Sequence, residues 1–137
     1  MLQLMIKNIL FVCVENSNRS QMAQAFALIH GTNKVRAYSA GSRPSGKINP
    51  KAIAAMKEVG YDLRNHVSKS LEEIPEIEFE YAITMGCGDE CPYVRAKHRA
   101  DWDIPDPREM NEEDFRNVRN LIEQKVKGLL ENVATDS

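Results

Sequence analysis

No stretch of this chain approaches the roughly 18 consecutive apolar residues of a membrane-spanning helix, so a globular protein with no membrane partner is expected. It also lacks a basic block. Its 18 Lys and Arg residues are spread among 20 Asp and Glu, with a formal net charge of -2. That balance argues against a dedicated nucleic-acid surface, although a local pocket can still be positive. Cysteine is scarce, and its count of three is odd. An odd set does not make a disulfide framework, which places the chain in a reducing cytoplasm and leaves each thiol to be explained. The stretch Met1 to Val14 is apolar but has no basic leader and no small-residue cleavage site, so it reads as a buried strand. No internal repeat, low-complexity segment or linker divides the 137 residues, and one domain spanning residues 1–137 is expected.

Against that background the apolar pattern is informative. Ile9 to Val14 is a continuous β-rich run, as expected of a central parallel strand buried on both faces. A helical stripe of Met22, Ala23, Phe26, Ala27 and His30 follows and ends at Gly31. Val35 to Ala40 reads as a second strand closing on Gly41, and Ser42 to Asn49 as a loop. Asn49-Pro50 starts a helix through Ala52, Ile53, Met56 and Val59 that stops at Gly60. Leu71 to Ile74 fits one helical turn, and Tyr81 to Met85 a third strand. Ile104 lies in a short extended piece bounded by Pro105 and Pro107. Asn111 caps a last helix whose apolar positions are Phe115, Val118, Ile122, Val126, Leu129 and Val133, with a charged, solvated outer face. Strands alternating with helices imply an α/β fold with a parallel sheet and helices on both faces. Ligands bind such sheets at the carboxyl ends of the strands, where Cys13, Gly41, Cys87 and Asp106 all fall.

The segment from Cys13 to Ser20 joins the first strand to the first helix and has the form Cys, five residues, Arg, Ser. The N–H groups of Val14, Glu15, Asn16, Ser17, Asn18, Arg19 and Ser20 are candidates for an anion nest, reinforced by the helix N-terminus. Arg19 offers a planar fork to two oxygens of a tetrahedral anion. Positive surroundings suit Cys13 as a nucleophilic thiolate, Ser20 as a hydroxyl donor to it, and Asn16 as a brace for the loop. The competing bland assignment is an inert buried cysteine beside a surface arginine.

Phe11-Val12-Cys13-x-x-Asn16-Ser17-x-Arg19-Ser20-Gln21-Met22-Ala23 resembles the signature of arsenate reductases built on the low-molecular-weight tyrosine phosphatase fold. Ser39-Ala40-Gly41, Asn49-Pro50, Ala55 to Gly60, Asn65-His66, Ile83 to Cys87 and Asp106-Pro107 match in order, so the likeness covers about residues 7 to 130. It implies a four-stranded parallel sheet and a reaction in which Cys13 attacks arsenate. Reducing As(V) to As(III) takes two electrons, one thiol pair becoming one disulfide. In the relay that the resemblance implies, Cys87 attacks the Cys13 adduct and releases arsenite, and Cys91 then resolves the Cys13–Cys87 disulfide. Asp106 is implied as the acid that protonates the departing oxygen. Thioredoxin or a small thiol is the expected reductant, with no metal and no organic cofactor.

Two positions depart from the family pattern: Glu15 stands where many members have Gly, and Asn18 where many have Cys. A carboxylate facing an anion would weaken its binding, so Glu15 is expected to point outward. Cys87 and Cys91 also admit a zinc reading with His98 as a third ligand, but a structural site needs a fourth that does not present itself. His30, His66 and His98 are read as structural, and Trp102 as buried. Asp101 and Asp103 are fallback acids. The leading rival function is a phosphatase acting on phosphomonoesters, which needs only Cys13, Arg19 and Asp106, with water resolving the adduct. A non-catalytic anion sensor is a second rival.

Overall fold

The computed structural model describes residues 6–86 and 93–135, with side chains described to residue 133. Cys87 and Cys91, and the loop between them, lie outside the described residues. The chain runs β1 (Lys7–Cys13), α1 (Arg19–His30), β2 (Val35–Gly41), α2 (Pro50–Lys57), β3 (Phe79–Thr84), β4 (Ala96–Asp101) and α3 (Glu112–Thr135). Two short 3-10 turns, Leu63–Asn65 and Leu71–Glu73, lie between α2 and β3. The strands form one parallel sheet in the order β2-β1-β3-β4.

The apolar run of residues 9–13 within β1 follows from the strand's central position. Ile9, Phe11 and Cys13 face a core that also takes Met22 and Phe26 of α1, Met56 of α2, and Phe115, Ile122 and Val126 of α3. Leu10 and Val12 face the opposite side, with Phe79, Ala82 and Ala96, and are covered there by Leu71, Ile74 and Ile77 of the second 3-10 turn and its exit. The sheet therefore carries the three α-helices on one face and a single helical turn on the other. All six apolar positions expected of the last helix, Phe115 to Val133, are buried. No helix among the described residues is long and apolar enough to cross a membrane.

Three expectations need correction. The fourth strand is Ala96–Asp101 and not the piece around Ile104, which is buried in irregular chain. As an edge strand, β4 buries only Ala96 and exposes Lys97, His98 and Arg99, a pattern with neither an apolar run nor alternation. Helix α2 ends at Lys57, so Val59 lies past it and is exposed, although Gly60 does turn with φ +84°. On α3, Arg119 is not part of a solvated face: it is 8% exposed. The capping residues behave as their chemistry requires, Asn49 Oδ1 accepting from Lys51 N at 2.9 Å and Asn111 Oδ1 from Asp114 N at 2.8 Å.

Because β2 and β3 flank β1 on opposite sides, successive connections leave β1 in opposite directions. The crevice of an open α/β sheet opens at such a point, beyond the carboxyl ends of the strands. Cys13 closes β1, paired with Gly41 of β2, and Gly86 follows β3 on the other side.

Candidate active site

The segment from Cys13 to Asn18 turns its carbonyls away from the crevice. Cys13 O accepts from Ser42 N (3.2 Å), Val14 O from Arg43 N (2.8 Å), Glu15 O from Ser45 N (3.0 Å) and Ser17 O from Asn49 N (3.1 Å). Asn16 O accepts from Gln21 Nε2 at 3.1 Å, and Asn18 O from Met22 N at 2.9 Å as the first bond of α1. With every carbonyl of the segment engaged outward, its amides are left to face inward. No N–H from Val14 to Arg19 donates to a protein carbonyl among the described residues. Such a concavity of N–H groups at a helix N-terminus is an anion site. Two local features permit it. Asn16 takes φ +52°, a left-handed conformation that asparagine tolerates. Gly41 lets the loop pass close, since a Cβ there would lie 2.6 Å from Val14 O.

The side chains within this loop are fixed by one another. Cys13 Sγ is 2.8 Å from Ser20 Oγ, and Asn16 Nδ2 donates to that hydroxyl at 2.8 Å. Asn16 Oδ1 accepts from Gln21 Nε2 (2.8 Å) and from Lys69 N (2.9 Å). Gln21 Oε1 meets His66 Nδ1 at 2.8 Å, and His66 Nε2 meets Tyr61 OH at 2.5 Å. A continuous chain of hydrogen bonds thus runs from Tyr61 to the Cys13 thiol. Burial, with a smaller contribution from the Lys69 ammonium, lowers the His66 imidazole from 6.5 to about 4. His66 is therefore neutral at physiological pH, and Lys69 and Tyr61 are themselves shifted by burial toward their uncharged forms.

Arg19 is 8% exposed and crosses the crevice, donating from Nη1 to Ile104 O at 3.0 Å. Its Nη2 lies 3.9 Å from Asp106 Oδ2. Gly86, with φ +75°, lies against this guanidinium, and a Cβ at position 86 would come within 2.3 Å of Arg19 Nη1. Cys13, Val14, Glu15, Ser17, Asn18 and Arg19 line a cavity of about 290 Å³ together with Arg43, Gly86, Asp106 and Arg108. Asn16 and Ser20 lie behind it, fully buried, as supports for the thiol. The cavity brings one thiol, three arginines and the two carboxyls of Glu15 and Asp106 together, with no aromatic side chain among its described lining residues.

Other candidates stand elsewhere. Asp101 accepts from Thr84 Oγ1 at 2.6 Å across β3 and β4, and Asp103 is exposed outside the cavity lining. His30 pairs with Glu123 at 2.8 Å, His98 stacks on Tyr81, and Trp102 packs on Phe11. Sequence reasoning passed over Gln21, His66 and Tyr61 as a unit, because Gln21 and His66 are distant along the chain. The only available signal was that both stand inside motifs matched to the family.

Residues 8–137 match the family of low molecular weight phosphotyrosine protein phosphatases, and the chain belongs to it. Within that family its similarity is to reductases. It is 35% identical over 132 residues to the glutaredoxin arsenate reductase of Synechocystis sp., covering 94% of this chain and all of that protein. A solved arsenate reductase in its phosphate-binding state superposes with a TM-score of 0.84 at 34% identity, covering 93% of this chain and 99% of the other. The thioredoxin-dependent arsenate reductase of Corynebacterium glutamicum matches with a TM-score of 0.78 at 28% identity, over 96% of this chain and 64% of that one.

Proposed function

We propose that this protein reduces arsenate to arsenite, with Cys13 as the nucleophile. The observation that carries this reading is the small polar cavity over Cys13, lined by inward N–H groups and Arg19 and free of aromatic walls among the described residues. Such a cavity favours an inorganic tetrahedral oxyanion over an aryl phosphate, and relatives that cover more than nine-tenths of the chain are arsenate reductases.

In this mechanism the N–H groups of residues 14–20 and the Arg19 fork hold the oxyanion, and its arsenic faces the Cys13 thiolate. Hydrogen bonding from Ser20 orients that sulfur. The Sγ–As bond forms, an As–O bond breaks, and the oxygen leaves as water with a proton from Asp106. Cys87 then attacks the Cys13 sulfur, an S–S bond forms, and the S–As electron pair passes to arsenic, which departs as arsenite. Cys91 attacks Cys87 and frees Cys13, and thioredoxin or a small thiol reduces the resulting Cys87–Cys91 disulfide. Chemistry of this kind fits a reducing cytoplasm.

The test is arsenate-dependent NADPH oxidation with thioredoxin and thioredoxin reductase, run beside a glutathione and glutaredoxin system. Turnover with either donor is expected. Hydrolysis of p-nitrophenyl phosphate with no reduction in either system would assign the site to a phosphatase instead.

A further inference from the structure

Glu15 places a carboxylate two residues past the nucleophile, in a loop whose N–H groups face an anion. Its charge is met by Arg108, whose Nη1 lies 3.0 Å from Glu15 Oε1. The backbone under Glu15 is fixed as well, since its carbonyl accepts from both Ser45 N and Ser68 Oγ at 3.0 Å. Arg108 is held in turn at its main chain: its N–H donates to Asp106 Oδ1 at 3.1 Å, and its carbonyl accepts from Lys51 Nζ at 3.2 Å. At the other end of the same segment, Arg19 grips Ile104 O at 3.0 Å. Asp106 lies between these two anchors. Its side chain is 46% exposed, with Oδ1 on Arg108 N and Oδ2 3.9 Å from Arg19, so its place depends on where the Arg108 backbone is held. Each anchor runs from the oxyanion loop to the acid segment, about 90 residues further along the chain.

We propose that the Glu15–Arg108 pair is a clasp that positions Asp106 over the Cys13 pocket, so that its proton reaches the departing oxygen. Glu15 and Arg108 are positioning residues, acting through Asp106, and Glu15 thereby converts a charge that would repel the anion into an anchor for the acid. The catalytic consequence rests on the reductase reading given above, whereas the clasp itself does not. Both side chains are near the surface and the pair adds little to stability, so substitution should leave the fold intact.

The test compares the wild type with Glu15→Gln, Arg108→Gln, their double variant and Arg108→Lys. Hydrogen exchange of the peptide spanning residues 104–110 is measured first, and arsenate kinetics second. The Gln variants should exchange faster across that peptide. A positioned acid is worth about 10²–10⁴-fold, so partial misplacement should lower kcat by roughly tenfold with little change in KM. The double variant should be no worse than either single, Arg108→Lys should recover most of the loss, and Glu15→Gln should add nothing in an Asp106→Asn background. Unchanged exchange overturns the clasp whether or not the protein reduces arsenate. A Glu15→Gln variant with lower KM and unchanged kcat overturns it too, since the carboxylate would then only repel the anion. So does a KM rise in Arg108→Gln that is independent of Glu15, which would make Arg108 a direct anion ligand. If the wild type turns over with no donor, the reductase reading fails by itself and the exchange result still decides the clasp.

Discussion

The Cys13 thiol depends on side chains set behind the oxyanion cavity. Ser20, Asn16, Gln21 and His66 each engage the next, and the direction of the chain is set at its far end. A neutral imidazole donates from Nδ1 to Gln21 Oε1 and accepts from Tyr61 OH at Nε2, a tautomer assigned from the network. Gln21 must then present its amide nitrogen to Asn16, which leaves the Asn16 amide to donate to Ser20. A protonated His66 would lose its acceptor. Burial resists that charge, moving the group from 6.5 to about 4, so between those values the unfolded chain binds a proton that the folded chain refuses. Stability from this group is fully present above 6.5 and is lost as pH falls toward 4. The shift sets a ceiling near ~3 kcal/mol, and screening of a partly exposed ring reduces it to roughly 1–2 kcal/mol. Urea unfolding of the wild type should lose roughly 1 kcal/mol more than His66→Gln between about pH 7 and about pH 5. Identical pH profiles would mean that His66 is not held neutral by the fold.

Elements were legible where burial was one-sided or complete, and illegible where a tertiary contact overrode local pattern. The β1 run, the Asn49-Pro50 start of α2 and the apolar stripe of α3 all carry their environment in their spacing. Strand β4 does not, because an edge strand that pairs on one side needs no apolar period. Charge on α3 misleads for a different reason. Arg119 looks like its solvated neighbours, yet it reaches under α2, donating from Nη1 to Ala55 O (2.9 Å) and to Glu58 Oε1 (2.6 Å). Arg116 grips the same carboxylate, and the two guanidinium groups hold Glu58 down at about 2. The contribution of Glu58 is therefore present above its ordinary 4.5 and fades as pH falls toward 2. Arg119→Met keeps the aliphatic packing but leaves the Ala55 carbonyl and Glu58 without this donor. A buried carbonyl left without its donor costs about 1–3 kcal/mol, and a loss in that range, set by Ala55 O, is expected by urea unfolding at neutral pH. A change below about 0.5 kcal/mol would show that Arg116 alone closes the joint between α2 and α3.

At the scale of the whole molecule, the strand order does the assembling. With β1 between β2 and β3, one crevice receives the loop after β1, the glycine after β3 and the acid segment after β4, from parts of the chain that share no local signal. That convergence was readable in outline, because strand ends alternate with helices along the sequence. The individual bridges across the crevice, Arg19 to Ile104 and Glu15 to Arg108, were not readable. The same crevice places the chain at a branch between two chemistries, since a phosphatase and a reductase both need Cys13, Arg19 and Asp106, and they differ in what resolves the adduct. Cys87 and Cys91 stand outside the described residues, so their part is decided by substitution. Cys87→Ser leaves the oxyanion cavity intact, and any hydrolysis of p-nitrophenyl phosphate in the wild type should persist. Arsenate reduction with thioredoxin should fall to background, because no second thiol accepts the Cys13 sulfur. Cys91→Ser should complete about one turnover and then stall as a Cys13–Cys87 disulfide, visible by non-reducing peptide mass spectrometry. Repeated turnover of both variants with thioredoxin as sole donor would remove the three-thiol relay. Turnover restored only by an added small thiol would keep Cys13 as the arsenate nucleophile and pass the second and third thiol roles to the donor.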